Sequence, residues 1–183
     1  TVPVEKCPRE TPIKDVKISY NEDWQEKWMG QLTIYKKRAP YYATIMQLVR
    51  DVLNCDTQYI SEMAINSVIK TCQYLGIELN YDVYSKMNLP LFEVEAPDEW
   101  ALGITREMKY DTYVNPPGGK TFFDANKYKK ANIELEFLTQ EIQKYNQRIR
   151  EFVPGLSILD VMMFCTPEEI RSMMDSYKIE KSE

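Results

Sequence analysis

Residues 110–138, "YDTYVNPPGGKTFFDANKYKKANIELEFL", decide the fold. "DTYV" is short and β-prone, a proline-glycine loop follows, and Asp124 is placed to cap a brief helix running through Tyr128. "IELEFL" then alternates as a second strand. A helix joining two strands this closely predicts a parallel pair with a right-handed crossover. Working outward, Trp24, Trp28, Leu32 and Tyr35 recur at helical spacing, with Pro40 ending that helix. Tyr41, Ile45, Leu48, Val49 and Val52 line a second amphipathic helix. Ile60, Ala64, Val68, Cys72 and Leu75 line a third, and Gly76 falls where a left-handed C-terminal cap belongs. "APDE" at 96–99 opens another helix, with proline in the first turn and acids at the positive end of the dipole. Residues 158–165 form the next, and Thr166, Pro167 and Glu169 read as cap, first-turn proline and capping-box acid of the last. Strands are also expected on both sides of the loop within residues 1–19 and over "IELNYDVY" at 77–84. The final seven residues, 177–183, are expected to fray. The sum is an α/β layered domain with a small, mainly parallel sheet flanked by about six helices.

The whole of residues 1–183 reads as a single domain, long enough to bury roughly 70% of its unfolded surface without disulfides or metal. A net charge of −5 argues against a nucleic-acid backbone as partner. The one compact basic run, Lys36-Lys37-Arg38, reads as a solvated helix end. Cys7, Cys55, Cys72 and Cys165 are far apart, which makes reduced thiols and a cytoplasmic setting the expectation. No apolar run reaches the ~20 residues needed to span a bilayer. The sequence opens on Thr1 rather than Met, which suggests a processed or truncated segment. Histidine is absent from the sequence. Ser-His-Asp and Cys-His chemistry and His-ligated zinc are thereby excluded within these residues, and proton transfer falls to Asp, Glu, Lys, Tyr or Cys. The residues name no metal and leave any cofactor unknown.

Gly119-Lys120-Thr121 matches the end of the phosphate-loop pattern G-x-x-x-x-G-K-[ST], but the first glycine should stand where Val114 does. The following Thr121-Phe122-Phe123 is β-prone rather than a helix start, so nucleotide hydrolysis is set aside. What fits is a stiff turn beyond the C-terminal end of a strand, the usual place for a ligand in an open α/β sheet. Pro116 and Pro117 fix φ, while Gly118 and Gly119 permit positive φ and bare backbone N–H groups. Asn115 adds an amide and Lys120 a cation. Without a ligand the same residues are a rigid surface turn. Ser157 and Asp160 resemble a nucleophile and its partner, but S-x-x-D before an apolar run reads first as a capping box. The paired methionines 162–163 and 173–174 read as core filler, and Tyr41, Tyr42 and Tyr145 as core or rim.

"YVNPPGG", "FFD", "IELEFL" and "FVPGLSILDVMMFCTPEEI", preceded in order by "TVPV", "IKDVKIS" and "APYY", resemble the WbqC-like family across nearly the whole chain. That resemblance implies a role in bacterial O-antigen or other surface-polysaccharide biosynthesis. The activity it implies is acyl (glycyl) transfer onto an amino sugar or sugar nucleotide. The implied partners are then a sugar nucleotide and an acyl donor, with the oligomeric state open. Matched positions are Tyr113, Asn115, Gly118, Gly119, Asp124, Ser157 and Asp160. On this reading Asp124 or Asp160 is the base, and Tyr113, Asn115, Gly118, Gly119, Lys120 and Ser157 bind substrate. Two departures matter: the family's segment with a His-Gln-Pro-like motif is missing, and Trp28 stands where the family often has histidine. If either histidine is needed for turnover, the chain is instead a non-catalytic sugar-nucleotide-binding or scaffold module.

Overall fold

The computed structural model describes residues 1–90 and 92–182. In chain order its α-helices and strands are α1 (Trp24–Leu32), α2 (Tyr42–Leu53), α3 (Ile60–Leu75), α4 (Glu99–Glu107), β1 (Thr112–Asn115), α5 (Ala125–Lys130), β2 (Glu134–Gln140), α6 (Ile158–Phe164), α7 (Pro167–Met174) and β3 (Tyr177–Lys181). The chain folds as two compact units. One holds Thr1–Tyr81 and Lys144–Met173, the other Asp82–Gln143 and Met174–Glu183.

The first unit is helical. Ile45, Met46, Val49 and Leu53 form one stripe of α2, all buried, and they share a core with Trp24, Met63 and the fully buried Met162 and Met163 of α6. Each such side chain contributes about 1.5–3 kcal/mol of transfer free energy. Helix ends follow the sequence signals at α3 and α7, but α1 stops at Leu32 and passes into a 3₁₀ turn over Thr33–Tyr35, well before the expected stop at Pro40. Gly76 sits at φ 65° and its N–H closes α3 on Gln73 O, while Ile77 N–H reaches Cys72 O. Before α7 the capping box is complete: Thr166 Oγ1 accepts from Glu169 N (3.2 Å) and Glu169 Oε2 accepts from Thr166 N (2.7 Å). The early strands shrink to isolated antiparallel bridges, Val4 with Ile18 and Lys17 with Tyr59. Pro3, Pro8 and Pro12 remove donors there, so no ladder propagates. Residues 77–83 form no strand either, and Tyr84–Lys86 makes a single 3₁₀ turn. Alternation there lacks a neighbouring strand to receive its hydrogen bonds.

The second unit carries the sheet, in the order β1-β2-β3. β1 and β2 are parallel, with Thr112 opposite Glu134 and Asn115 opposite Phe137, and α5 lies between them in sequence. β2 buries Leu135 and Phe137 on a core completed by Tyr128 and Ile133. The sheet is mixed rather than mainly parallel, because β3 runs antiparallel to β2 with Glu136 opposite Lys181 and Gln140 opposite Tyr177. This also corrects the expected fraying of 177–183: residues 177–181 are strand. Every β3 side chain is exposed, so the short Tyr177, Ile179 alternation buries nothing. Backbone pairing holds it, with Ser182 N–H on Leu135 O (2.8 Å) and Lys181 Nζ on Glu134 (2.8 Å).

Candidate functional site

The glycine loop begins where β1 ends. The expectation of positive φ at Gly118 and Gly119 is not met: Pro117–Gly119 is a right-handed 3₁₀ turn, and the glycines with positive φ are Gly76 and Gly155. Gly119 N–H donates to Pro116 O (3.1 Å) and Lys120 N–H to Pro117 O (3.2 Å). The Gly119 amide is therefore already engaged rather than bare. Glycine is required at 119 for closeness instead. A Cβ there would stand 2.3 Å from Asn115 Nδ2 and 2.9 Å from the Phe123 ring. Gly118 differs, since a Cβ would meet nothing within 4 Å.

Asn115 is locked in this turn. Its Oδ1 accepts from Tyr113 OH (2.9 Å) and its Nδ2 donates to Pro116 O (2.9 Å). Tyr113 in turn stacks on the buried Tyr128 at 5.9 Å and lies 5.6 Å from the Phe123 ring. Burial pushes the Tyr113 phenol up, so it stays a hydroxyl donor. Lys120 pairs with Glu180 of β3, and its Nζ lies 5.9 Å from the Phe137 ring centre. Asp124 caps α5 as expected, its Oδ1 accepting from Asn126 N (2.9 Å). Its exposed carboxylate already serves the helix end.

Behind the loop stands a cluster that the sequence did not reveal. Asp98, 4% exposed, accepts from Lys127 Nζ (3.2 Å) and from Asp124 N (3.3 Å), while its carbonyl accepts from Tyr128 OH (3.0 Å). Lys127 also pairs with Glu99 at 2.7 Å. That lysine, with the N–H groups of Glu95 and Ala96, holds the Glu99 carboxyl down to about 2. "APDE" marked the helix start, although Pro97 lies before the N-cap Asp98 rather than in the first turn, and no local pattern ties it to a lysine about thirty residues on.

Ser157 and Asp160 belong to the first unit. Ser157 caps α6, its Oγ accepting from Leu159 N (3.3 Å). Asp160 does not complete the capping box. It is 3% exposed, with Oδ2 accepting from Tyr35 OH (2.7 Å) and Oδ1 from Tyr145 OH (2.5 Å) and Gln147 Nε2 (3.0 Å). Gln147, itself buried, exchanges two hydrogen bonds with the Val153 backbone, which ties residues 145–153 to α6. Burial, reinforced by the hydrogen bond to Asp160, pushes Tyr35 up to about 12 and shifts Tyr145 the same way. Burial likewise raises Cys165 to about 11, so its thiol is no nucleophile at neutral pH. Arg38 leaves the solvated basic run: its guanidinium lies 5.3 Å from the Tyr35 ring and 5.6 Å from that of Phe164. Tyr35 carried a signal, as the last apolar position of the Trp24 stripe. Gln147 carried none.

The described chemistry thus gathers in two places, one in each unit. Tyr113, Asn115, Gly118, Gly119, Lys120 and Asp124 surround the loop in one; Ser157 and Asp160, with Tyr35 and Tyr145, make the other.

The WbqC-like protein family model matches residues 1–172. The chain belongs to this family. No curated protein and no solved structure matches it. The match covers both segments of the first unit except Met173, and the Asp82–Gln143 segment of the second but not β3, so the residues of both clusters lie inside the WbqC-like region. Among the described residues, no helix is long and apolar enough to cross a membrane.

Proposed function

We propose that this WbqC-like protein serves bacterial surface-polysaccharide biosynthesis as an acyl transferase that places a glycyl group on an amino sugar or its nucleotide. Membership of the family supports the pathway. The observation that carries the site is the locked Tyr113–Asn115–Gly119 turn at the carboxyl end of β1. Its hydroxyl and amide are held in fixed rotamers, as sugar recognition requires, and the open space over Gly118 admits a ligand to the backbone. In the reaction the sugar amine attacks the acyl carbonyl carbon and the C–N bond forms. The bond to the donor's oxygen or sulfur then breaks, and the departing group leaves with the electron pair and takes up the proton that the amine loses. The donor is a carrier thioester, an aminoacyl-tRNA, or free glycine activated with ATP.

A second reading, a sugar-nucleotide-binding or scaffold module without turnover, is favoured by one observation. Both candidate bases already have structural partners, Asp124 at the α5 cap and Asp160 between two tyrosines. The two readings share a binding step, which a thermal-shift panel of UDP-, dTDP- and GDP-amino sugars tests. One sugar nucleotide, at about a hundred times its Kd, is expected to add about 2.7 kcal/mol, or roughly 5–10 °C. Asn115→Ala is expected to lose that gain while folding normally. If no sugar nucleotide moves the wild type, both readings fail and the partner is not a small molecule of this kind.

A further inference from the structure

A cleft of about 370 Å³ lies in the first unit, walled by α1 and by one face of α2 from Tyr42 to Leu53. This volume is in the range of ligand pockets. Its lining combines an apolar part, Met29 and Met46, with two opposite charges, Glu26 on α1 and Arg50 in the last turn of α2. Neither charge forms an ion pair among the described residues, so both are free for a ligand. The walls are joined by Gln25 Nε2 donating to Leu53 O (2.8 Å), so the cleft is a fixed feature of α1 on α2. Gly30 lines it too, and a Cβ there would meet nothing within 4 Å.

We propose that this cleft binds a free α-amino acid. A guanidinium and a carboxylate on the walls of one small cleft match the two charges of a zwitterion, with Arg50 taking the carboxylate and Glu26 the ammonium. The methionines accept a small or apolar side chain and adapt to its shape. A sugar would not need the paired charges, and a phosphate would be repelled by Glu26. The proposal does not depend on the transfer reading, because binding is measured without sugar and without turnover.

The test is an NMR titration of the isotope-labelled full chain with glycine, L-alanine and L-leucine, alongside glycinamide and N-acetylglycine. At least one amino acid is expected to shift the amide signals of Glu26, Met29 and their neighbours in a saturable way. Glycinamide, lacking the carboxylate, and N-acetylglycine, lacking the ammonium, should bind at least about tenfold more weakly than glycine, if glycine is the amino acid bound. Arg50→Ala and Glu26→Gln, both at exposed positions, should each weaken binding by a similar factor. Gly30→Leu, which fills open space, should abolish it with the unfolding midpoint retained. No saturable shift with any of the three amino acids would overturn the proposal. So would equal binding of the blocked analogues, or binding indifferent to all three substitutions.

Discussion

Asp160→Ala is expected to destabilise the helical unit by about 3 kcal/mol or more, lowering its thermal midpoint by about 6–12 °C. The carboxylate is 3% exposed and accepts from Tyr35, Tyr145 and Gln147, so its removal strands the two phenol donors and leaves a cavity, while Gln147 keeps its bond to Val153 O. Asp160→Asn should cost less, about 1–2 kcal/mol, because a phenol can rotate to accept from the new amide. The same network gives the wild type a defined alkaline limit. Tyr35 is raised from 10.0 to about 12, so the fold favours its neutral form. That contribution is whole below pH 10 and is lost as the pH climbs through about 12. Tyr145 acts in the same direction. Thermal melts with phenolate absorbance measure both effects, and in Asp160→Ala Tyr35 should ionise earlier than in the wild type. An alanine variant as stable as the wild type would remove the network from the account.

Gly119→Ala and Gly118→Ala, adjacent and chemically identical, are expected to diverge. At 119 the new methyl meets Asn115 Nδ2 at 2.3 Å and the Phe123 ring at 2.9 Å. Asn115 must swing out, losing its bonds with Tyr113 and Pro116, or the aromatic layer of Tyr113, Phe123 and Tyr128 must shift. Overpacking of this kind costs about 1–3 kcal/mol. The recognition geometry is lost with it, so sugar-nucleotide stabilisation should vanish in Gly119→Ala even where the variant stays folded. At 118 the methyl points into open space on a right-handed turn, so stability should hold or rise by up to about 1 kcal/mol. Melting both variants with and without ligand separates the cases. Equal behaviour would mean that the loop is not packed as described.

The contrast between these two glycines shows where sequence reading reaches and where it stops. The pair marked a turn after a strand, and the turn is there, but its handedness and the need for glycine at 119 come from Asn115 and Phe123 folding back on it. Cap signals were legible because they are local: Gly76, Asp124, Ser157, Thr166 and Glu169 all act within about four residues. β3 was not, since its Tyr177-Lys178-Ile179-Glu180 alternation is short, both apolar side chains stay exposed, and its order comes from β2. Asp160 was half legible. The Ser-x-x-Asp spacing named the helix start, yet the carboxylate's partners Tyr35 and Tyr145 lie 125 and 15 residues away. The Asp98–Lys127–Glu99 cluster was hidden for the same reason.

The most direct test of the account is the mass of the acceptor. The purified full chain would be incubated with the sugar nucleotide that stabilises it and, in turn, with glycyl-tRNA, a glycyl thioester carrier, or glycine with ATP. One donor is expected to add a single glycyl group to the sugar amine, with much less product from Gly119→Ala. An acceptor of unchanged mass with every donor, while the sugar nucleotide still binds, would contradict glycyl transfer and leave a binding module.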